Sequence, residues 1–258
     1  MSLISKNAFV SPKAKIGENV IIKDLAIVED DVVIGDNVEI HYNAQIENGA
    51  RIANNVKIFK GAVISCRPQD LKYKDEYTTL EVGESTVIRE YATVSKGTKA
   101  NKKTVVGKNC LLMNYVHIPH DSIIGDNVIM ANAVTMGGHV VVEDFAIIGG
   151  LVGIHQFVRI GRHSFTAFSS RVTQDIPPYI LAGGSPINYK GLNLVGLKRR
   201  GFDEEAIKHI KQAYTYIYHS SYNISDAIKA IKDSVKPTDE VKHIIDFIEK
   251  SERGIIRK

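Results

Sequence analysis

The sequence predicts an all-β solenoid, a parallel β-helix, followed by an α-helical domain at its C-terminal end. Three observations carry this reading: an apolar repeat of six residues, corner-forming residues between the apolar positions, and a change to helical spacing beyond Asp203. Every sixth residue from Val10 is Ile16, Ile22, Val28, Ile34, Ile40, Ile46, Ile52, Ile58 and Ile64, an unbroken run of Ile and Val. The phase resumes at Val82, Ile88 and Val94 and runs on from Val106 to Val172. Of its 28 positions, 24 are Ile, Leu, Val or Met, which chance does not produce. Two residues earlier in each unit stand small or β-branched residues, such as Ala8, Val20, Ala26, Val32 and Ala44. A six-residue period fits neither the roughly 3.6-residue period of a helix nor a heptad. A spacing of two puts both side chains on one face of a strand. Between them lie Ile16-Gly17-Glu18-Asn19, Ile34-Gly35-Asp36-Asn37 and Ile124-Gly125-Asp126-Asn127, whose Gly, Asn and Asp suit tight corners.

Alternating short strands and corners make a solenoid, and hexapeptide repeats are one of its sequence signatures. The chain resembles hexapeptide-repeat proteins, and that resemblance, not the spacing, implies a three-sided coil and a left hand. Residues eighteen apart then stack about 4.8 Å apart on successive coils. Two polar stretches, 66–81 and 95–105, interrupt the pattern but not its phase, and read as projecting loops, functional or merely decorative. Pro177-Pro178 ends the repeat. Asp203-Glu204-Glu205 opens a helix carrying Ile207, Ile210, Ala213, Tyr214 and Ile217. Ser225 is the expected cap of a second helix running through Val235, and Pro237 with Asp239 and Glu240 opens a third. The expected division is a β-helix over 1–190 and a helical domain over 191–258, capping the otherwise open end of the coil.

Composition narrows the function classes. No apolar run approaches the roughly 20 residues of a membrane-spanning helix. The N-terminus lacks a basic-then-apolar signal pattern, so the expectation is a cytoplasmic protein without a membrane span. Cys66 and Cys110 are too few for a disulfide framework or a four-cysteine zinc site, and Cys110 falls on an inward position. The net charge of +4 has one tight cluster, Lys198-Arg199-Arg200, which suits phosphates or an acidic partner better than nucleic acid.

The chemistry-bearing residues gather late: His117, His120, His139, His155 and His163. His120, Gly138 and Gln156 are eighteen apart and share one corner, as do Asp121 and His139. An imidazole is the usual base for an alcohol, and a glycine N–H in the same column is suited to an oxyanion. Three alternatives stay open: polar residues at exposed corners of a non-catalytic scaffold, a sugar-nucleotide binder, or a zinc site. The zinc reading takes His117 and His120 with a third histidine from another chain, as in the γ-class carbonic anhydrases.

Longer motifs sharpen the resemblance. Pro68-Gln69-Asp70-Leu71-Lys72-Tyr73, Ile88-Arg89-Glu90, His117-Ile118-Pro119-His120-Asp121, Phe145-Ala146-Ile147-Ile148-Gly149-Gly150, His155-Gln156-Phe157, Gln174-Asp175-Ile176-Pro177-Pro178-Tyr179 and Gly196-Leu197-Lys198-Arg199-Arg200-Gly201-Phe202 occur in one order. Together they resemble the acyl-[acyl-carrier-protein]–UDP-N-acetylglucosamine O-acyltransferases of lipid A biosynthesis, in preference to the related UDP-glucosamine N-acyltransferases. The resemblance implies a homotrimer with sites in the clefts between subunits, and an acyl group, 3-hydroxyacyl in type, brought on the phosphopantetheine of acyl carrier protein. No cofactor or metal of the enzyme's own is expected. It implies His120 as the base that deprotonates the sugar 3-hydroxyl, Asp121 as its support and Gly138 as the oxyanion donor. Asp70, Lys72, His117, His139 and Gln156 are expected to line the sugar and phosphate site, with His155 close by. Asn193, Arg199 and Arg200 are expected to reach the nucleotide, and Phe168 to limit the acyl chain. The chain departs from the family pattern at Ser95-Lys96-Gly97-Thr98, where a histidine commonly precedes Arg-Gly-Thr. It departs again at Val195, where an acid often follows the nucleotide-side Asn.

Overall fold

The computed structural model describes residues 2–258. Its strands, most of them two residues long, stack into three sheets of eleven, nine and eight strands that form the three faces of a prism. Within the coil the pairing is parallel and the register is the repeat itself: Ile22 lies beside Ile40 and Ile124 beside Val142, each pair eighteen apart. The interior column is sealed, with Ile40, Ile46, Ile58, Ile64, Leu112 and Ile118 all without solvent exposure. At about 1.5–3 kcal/mol for each fully buried aliphatic side chain, this column is the main stabilising element of the coil.

The polar motif Gly-Asp-Asn has a specific use at one corner. The Asp36 carboxylate accepts the N–H of Glu18 in the neighbouring coil at 2.7 Å, and Asp126 accepts that of Lys108 at 2.7 Å. Each cap satisfies a corner N–H that no strand pairs. The glycine before it must stay bare, since a Cβ on Gly17 would stand 2.4 Å from Asp36 Oδ1. The next residue turns the corner in the left-handed region, Asn19, Asn37 and Asn127 with φ of 53°, 55° and 58°.

The two insertions leave the stacking intact because they add multiples of six. Ile64 pairs with Val94, thirty residues on, and Val94 with Ile118, twenty-four on. The loops also hold each other, since the Glu76 carboxylate accepts the backbone N–H groups of Lys74 and Lys99 at 2.8 and 3.0 Å. Cys110 is buried, as expected of an inward position, and burial pushes its thiol up to about 11.

Beyond the last coil a hairpin, Ile180–Gly183 against Asn188–Leu192, runs antiparallel, and four helices follow. These are α1 Leu194–Arg199, α2 Glu204–Tyr218, α3 Ile224–Ser234 and α4 Asp239–Glu249. Spacing failed to signal the hairpin and α1. Asp203 caps α2 as the acids suggested, but α3 is capped by Asn223, not Ser225: the Asn223 side chain accepts the Asp226 N–H at 2.9 Å. Asn and Ser are near-equal caps, so type alone does not choose between neighbours.

The helices lock onto the last coils. Tyr214 donates to the Pro178 carbonyl at 2.6 Å, His243 meets Glu143 at 2.8 Å, and the Arg159 guanidinium lies 4.4 Å from the Phe247 ring centre. One corner changes from an asparagine column to a stack of rings, Phe145 on His163 at 4.7 Å and His163 on Tyr179 at 5.8 Å. Burial, and then the Arg162 and Arg200 charges, push His163 down to about 4. The folded chain therefore rejects a proton that an unfolded histidine accepts near 6.5, so this term costs stability as pH falls from about 6.5 toward 4. His163→Phe, which keeps the stack, should remove about 1–2 kcal/mol of the stability lost between pH 7 and pH 5. Thermal melts at both pH values check this, and parallel losses in the two proteins would exclude His163 as the cause.

Candidate active site

One corner brings His120, Asp121, Gly138, His139, Gln156 and Phe157 together on three successive coils. Asp121 and His139 make the turn with φ of 60° and 61°, so their side chains are held at a backbone conformation that L-residues rarely adopt. The Asp121 carboxylate has no solvent exposure. It accepts the Thr98 N–H at 2.9 Å, the Thr98 hydroxyl at 2.7 Å and the Asn101 N–H at 3.2 Å. Its Oδ2 also meets His120 Nδ1 at 2.8 Å. Burial alone would raise this acid, but the hydrogen bonds from Thr98, His120 and Asn101 outweigh it and hold the carboxyl below its usual range. A carboxylate fixed to Nδ1 sets that nitrogen as the protonated one and leaves Nε2 free as a base.

The His120 ring is confined on two sides. The His139 ring stands edge-on to it, centroids 5.3 Å apart, and is itself stacked on Phe157 at 4.6 Å. Below lies Gly138, where a Cβ would come within 2.6 Å of His120 Cε1 and 2.8 Å of Nε2. The Gly138 N–H occupies the same place in its hexapeptide as the capped N–H groups of Glu18 and Lys108, yet among the described residues it makes no hydrogen bond. The Gly138 backbone, its N–H unclaimed, therefore lies against the His120 imidazole. His117 turns its Nδ1 to the Thr93 hydroxyl at 2.7 Å. Burial first, and then the proximity of His120, lower its basicity.

The ligand atoms of His120, Asp121 and His139 lie within 4.8 Å of one another, close enough to hold a metal. The zinc reading of the sequence chose a different set, His117 with His120, and the structure instead commits His117 to Thr93. At the His120 corner the carboxylate already accepts hydrogen bonds from Thr98 and Asn101 and meets His120.

Apart from Gln156, which shares the His120 corner, the remaining sequence-selected residues lie elsewhere on the single chain. Asp70 and Lys72 sit in the first insertion, where Asp70 Oδ1 accepts the Lys72 N–H at 2.9 Å and Leu71 projects at 99% exposure. No hydrogen bond or ion pair joins them to His120 among the described residues. His155 and Gln156 are exposed, and His155 Nδ1 reaches only the Gln156 carbonyl, at 3.2 Å. Asn193 is tied at both ends of its carboxamide, accepting the Gly196 N–H at 3.2 Å and donating to the His163 carbonyl at 3.0 Å. Arg199 is exposed, while Arg200 lies over Phe145 at 4.5 Å. Phe168 is 66% exposed and its ring edge would meet a Cβ on Gly150 at 3.4 Å, the expected stacking on the coil below. Sequence reasoning missed Thr98 and Asn101, which no repeat spacing marks.

The fold and this corner can be set beside known proteins. Residues 13–48 and 103–138 match the bacterial transferase hexapeptide family, and residues 175–256 match the second domain of UDP-N-acetylglucosamine O-acyltransferase. The chain is 46% identical, over the full length of both, to an acyl-[acyl-carrier-protein]–UDP-N-acetylglucosamine O-acyltransferase of Thiobacillus denitrificans. It belongs to that family. A Janthinobacterium member is 47% identical, again over the whole of both chains. The crystal structure of a UDP-N-acetylglucosamine acyltransferase from Bacteroides fragilis superposes with a TM-score of 0.97 at 47% identity, covering 99% of this chain and all of that one. A Francisella novicida acyltransferase superposes at 0.96 with 37% identity, covering 99% of this chain and 94% of its own. The family's coil is left-handed, so the solenoid is a left-handed parallel β-helix with C-terminal helices. No helix of the described residues is long and apolar enough to cross a membrane.

Proposed function

We propose that the chain transfers an acyl group, 3-hydroxyacyl in type, from acyl carrier protein to the glucosamine 3-hydroxyl of UDP-N-acetylglucosamine, the opening step of lipid A biosynthesis. The single observation that carries this reading is the confined His120, held by Asp121 on one side and set over an unclaimed Gly138 N–H. His120 Nε2 takes the proton of the sugar hydroxyl as its oxygen attacks the thioester carbonyl. The carbonyl electrons move onto oxygen and are held by the Gly138 N–H. Collapse re-forms the carbonyl, breaks the carbon–sulfur bond, and His120 returns its proton to the departing phosphopantetheine thiolate.

In this reading Asp70, Lys72, His117, His139 and Gln156 surround the sugar and phosphates, with His155 near. Arg199 offers a guanidinium to the diphosphate, Arg200 is braced on Phe145, and Asn193 fixes the start of α1. The exposed Leu71 loop, with no hydrogen bond or ion pair from Asp70 or Lys72 to His120 among the described residues, supports a homotrimer whose clefts join loop and base from different subunits. The setting is cytoplasmic, and the acyl carrier protein brings the only prosthetic group. The test is a transfer assay with acyl carrier protein and UDP-N-acetylglucosamine: acyl-sugar nucleotide should form, and its absence with active donor would remove the assignment.

Phe168 is proposed as the stop for the acyl chain. Its ring covers Gly150 in the coil below, where a glycine would leave a groove open. Each methylene is worth only about 0.8 kcal/mol of burial, so selection by length needs a steric wall and not weaker binding. Phe168→Gly should move the preferred donor to longer chains; an unchanged length profile across a donor series would place the stop elsewhere.

A further inference from the structure

The C-terminal domain holds a cavity of about 790 Å³ whose lining includes none of the residues of the His120 corner. Its floor is apolar: Tyr189 and Leu192 from the hairpin, Leu194 at the start of α1, and Ile207 on α2. Tyr189 is fixed from behind by stacking on Tyr218, centroids 4.1 Å apart and planes 11° off parallel, so the floor is formed in advance. Around the rim stand Lys190, Lys198, Lys208, Lys211 and Lys258, against one carboxylate, Glu204.

Among the described residues none of these five lysines has a carboxylate partner. Lys258 alone has a neighbour, the His219 ring at 3.1 Å. Elsewhere in the helical domain four lysines are paired, Lys232 with Glu249, Lys236 with Glu205, Lys242 with Asp239 and Lys250 with Asp246, all within 3.5 Å. Unpaired cations gathered on one rim attract an anion from a distance and hold it once water is displaced. The volume falls in the range of roughly 300–1,000 Å³ typical of small-molecule sites, which are mostly apolar with a few polar groups to fix orientation. A basic rim alone would hold any anion, and an apolar floor alone any hydrocarbon.

We propose that this cavity binds a single-chain anionic amphiphile, its alkyl chain on the Tyr189, Leu194 and Ile207 floor and its phosphate or carboxylate head among Lys198, Lys208 and Lys211. Charge complementarity selects the head group, and the preformed apolar floor selects the chain.

Isothermal titration of the full-length protein with decyl phosphate, decanoate, decanol and inorganic phosphate, all below micelle formation, tests the proposal. Decyl phosphate and decanoate should bind one per chain, at least about tenfold more tightly than decanol or inorganic phosphate. If only one of the two anions binds, the head group is that one. The Lys208→Glu/Lys211→Glu variant should lose about tenfold in affinity, and so should Leu194→Ser, with thermal midpoints unchanged. Saturating UDP-N-acetylglucosamine should leave binding intact. Equal binding of decanol, or full affinity in both variants, would overturn the proposal. So would displacement by the sugar nucleotide, which would move the chain to the acyl groove. Competition by acyl carrier protein carrying no acyl chain would assign the rim to protein docking instead.

Discussion

His120→Ala leaves the coil intact and lowers turnover by about 100-fold or more, the scale on which general-base catalysis operates. The coil survives because the ring is not part of the apolar interior: His120 packs at a corner, while Ile118 beside it holds the core position. What the variant removes is the proposed base, the imidazole held at 2.8 Å by the buried Asp121 carboxylate. Asp121 cannot stand in, since its oxygens already serve Thr98 and Asn101. Steady-state transfer kinetics with matched thermal melts check the expectation. A variant within threefold of the parent would remove His120 from the mechanism.

Gly138→Ala is expected to reduce kcat by about 100-fold with a smaller change in KM, although it adds a single methyl. The new carbon would stand 2.6 Å from His120 Cε1, well inside van der Waals contact, so the ring must move. It has nowhere to go without loss: the His139 edge blocks one side, and the 2.8 Å contact with Asp121 breaks if the ring tilts away. Displacing a base by about 1 Å costs on the order of 100-fold. The methyl also shields the N–H beneath. Kinetics of the variant against both substrates check this, and an unchanged kcat would show that the ring has slack that the packing denies.

Much of this corner was legible because the coil converts sequence distance into position. His120, Gly138 and Gln156 fall in one column for the same reason that Ile124 pairs with Val142: eighteen residues make one turn of the coil. The same arithmetic put Asp121 beside His139, and the structure places their nearest polar atoms 3.7 Å apart. It failed where the chain leaves the coil. Thr98 and Asn101 reach Asp121 from the second insertion, and a loop's path is set by contacts such as Lys99 with Glu76 that carry no period. The helix α1 was hidden because six residues containing Gly196, with no acid in the first turn, carry little helical signal; it depends on the Asn193 cap and burial of Leu197. Asp70 and Lys72 are one step further off, since they lie in the first insertion, whose path carries no period, and make no hydrogen bond to the His120 corner among the described residues.

The uniform rise of the coil constrains how a stop such as the one proposed at Phe168 could set the length of a hydrocarbon. Each turn advances about 4.8 Å along the axis, the spacing of hydrogen-bonded strands, and the backbone ladder does not allow that step to be stretched. A stop carried on one turn, as is proposed for Phe168 above Gly150, can be moved along the axis only by whole turns, each worth several methylenes. Within a turn the only freedom is how far a side chain leans across the groove. Chain length is thus graduated coarsely by address and finely by bulk, and a lineage can drift between neighbouring lengths by changing one side chain while leaving the base untouched.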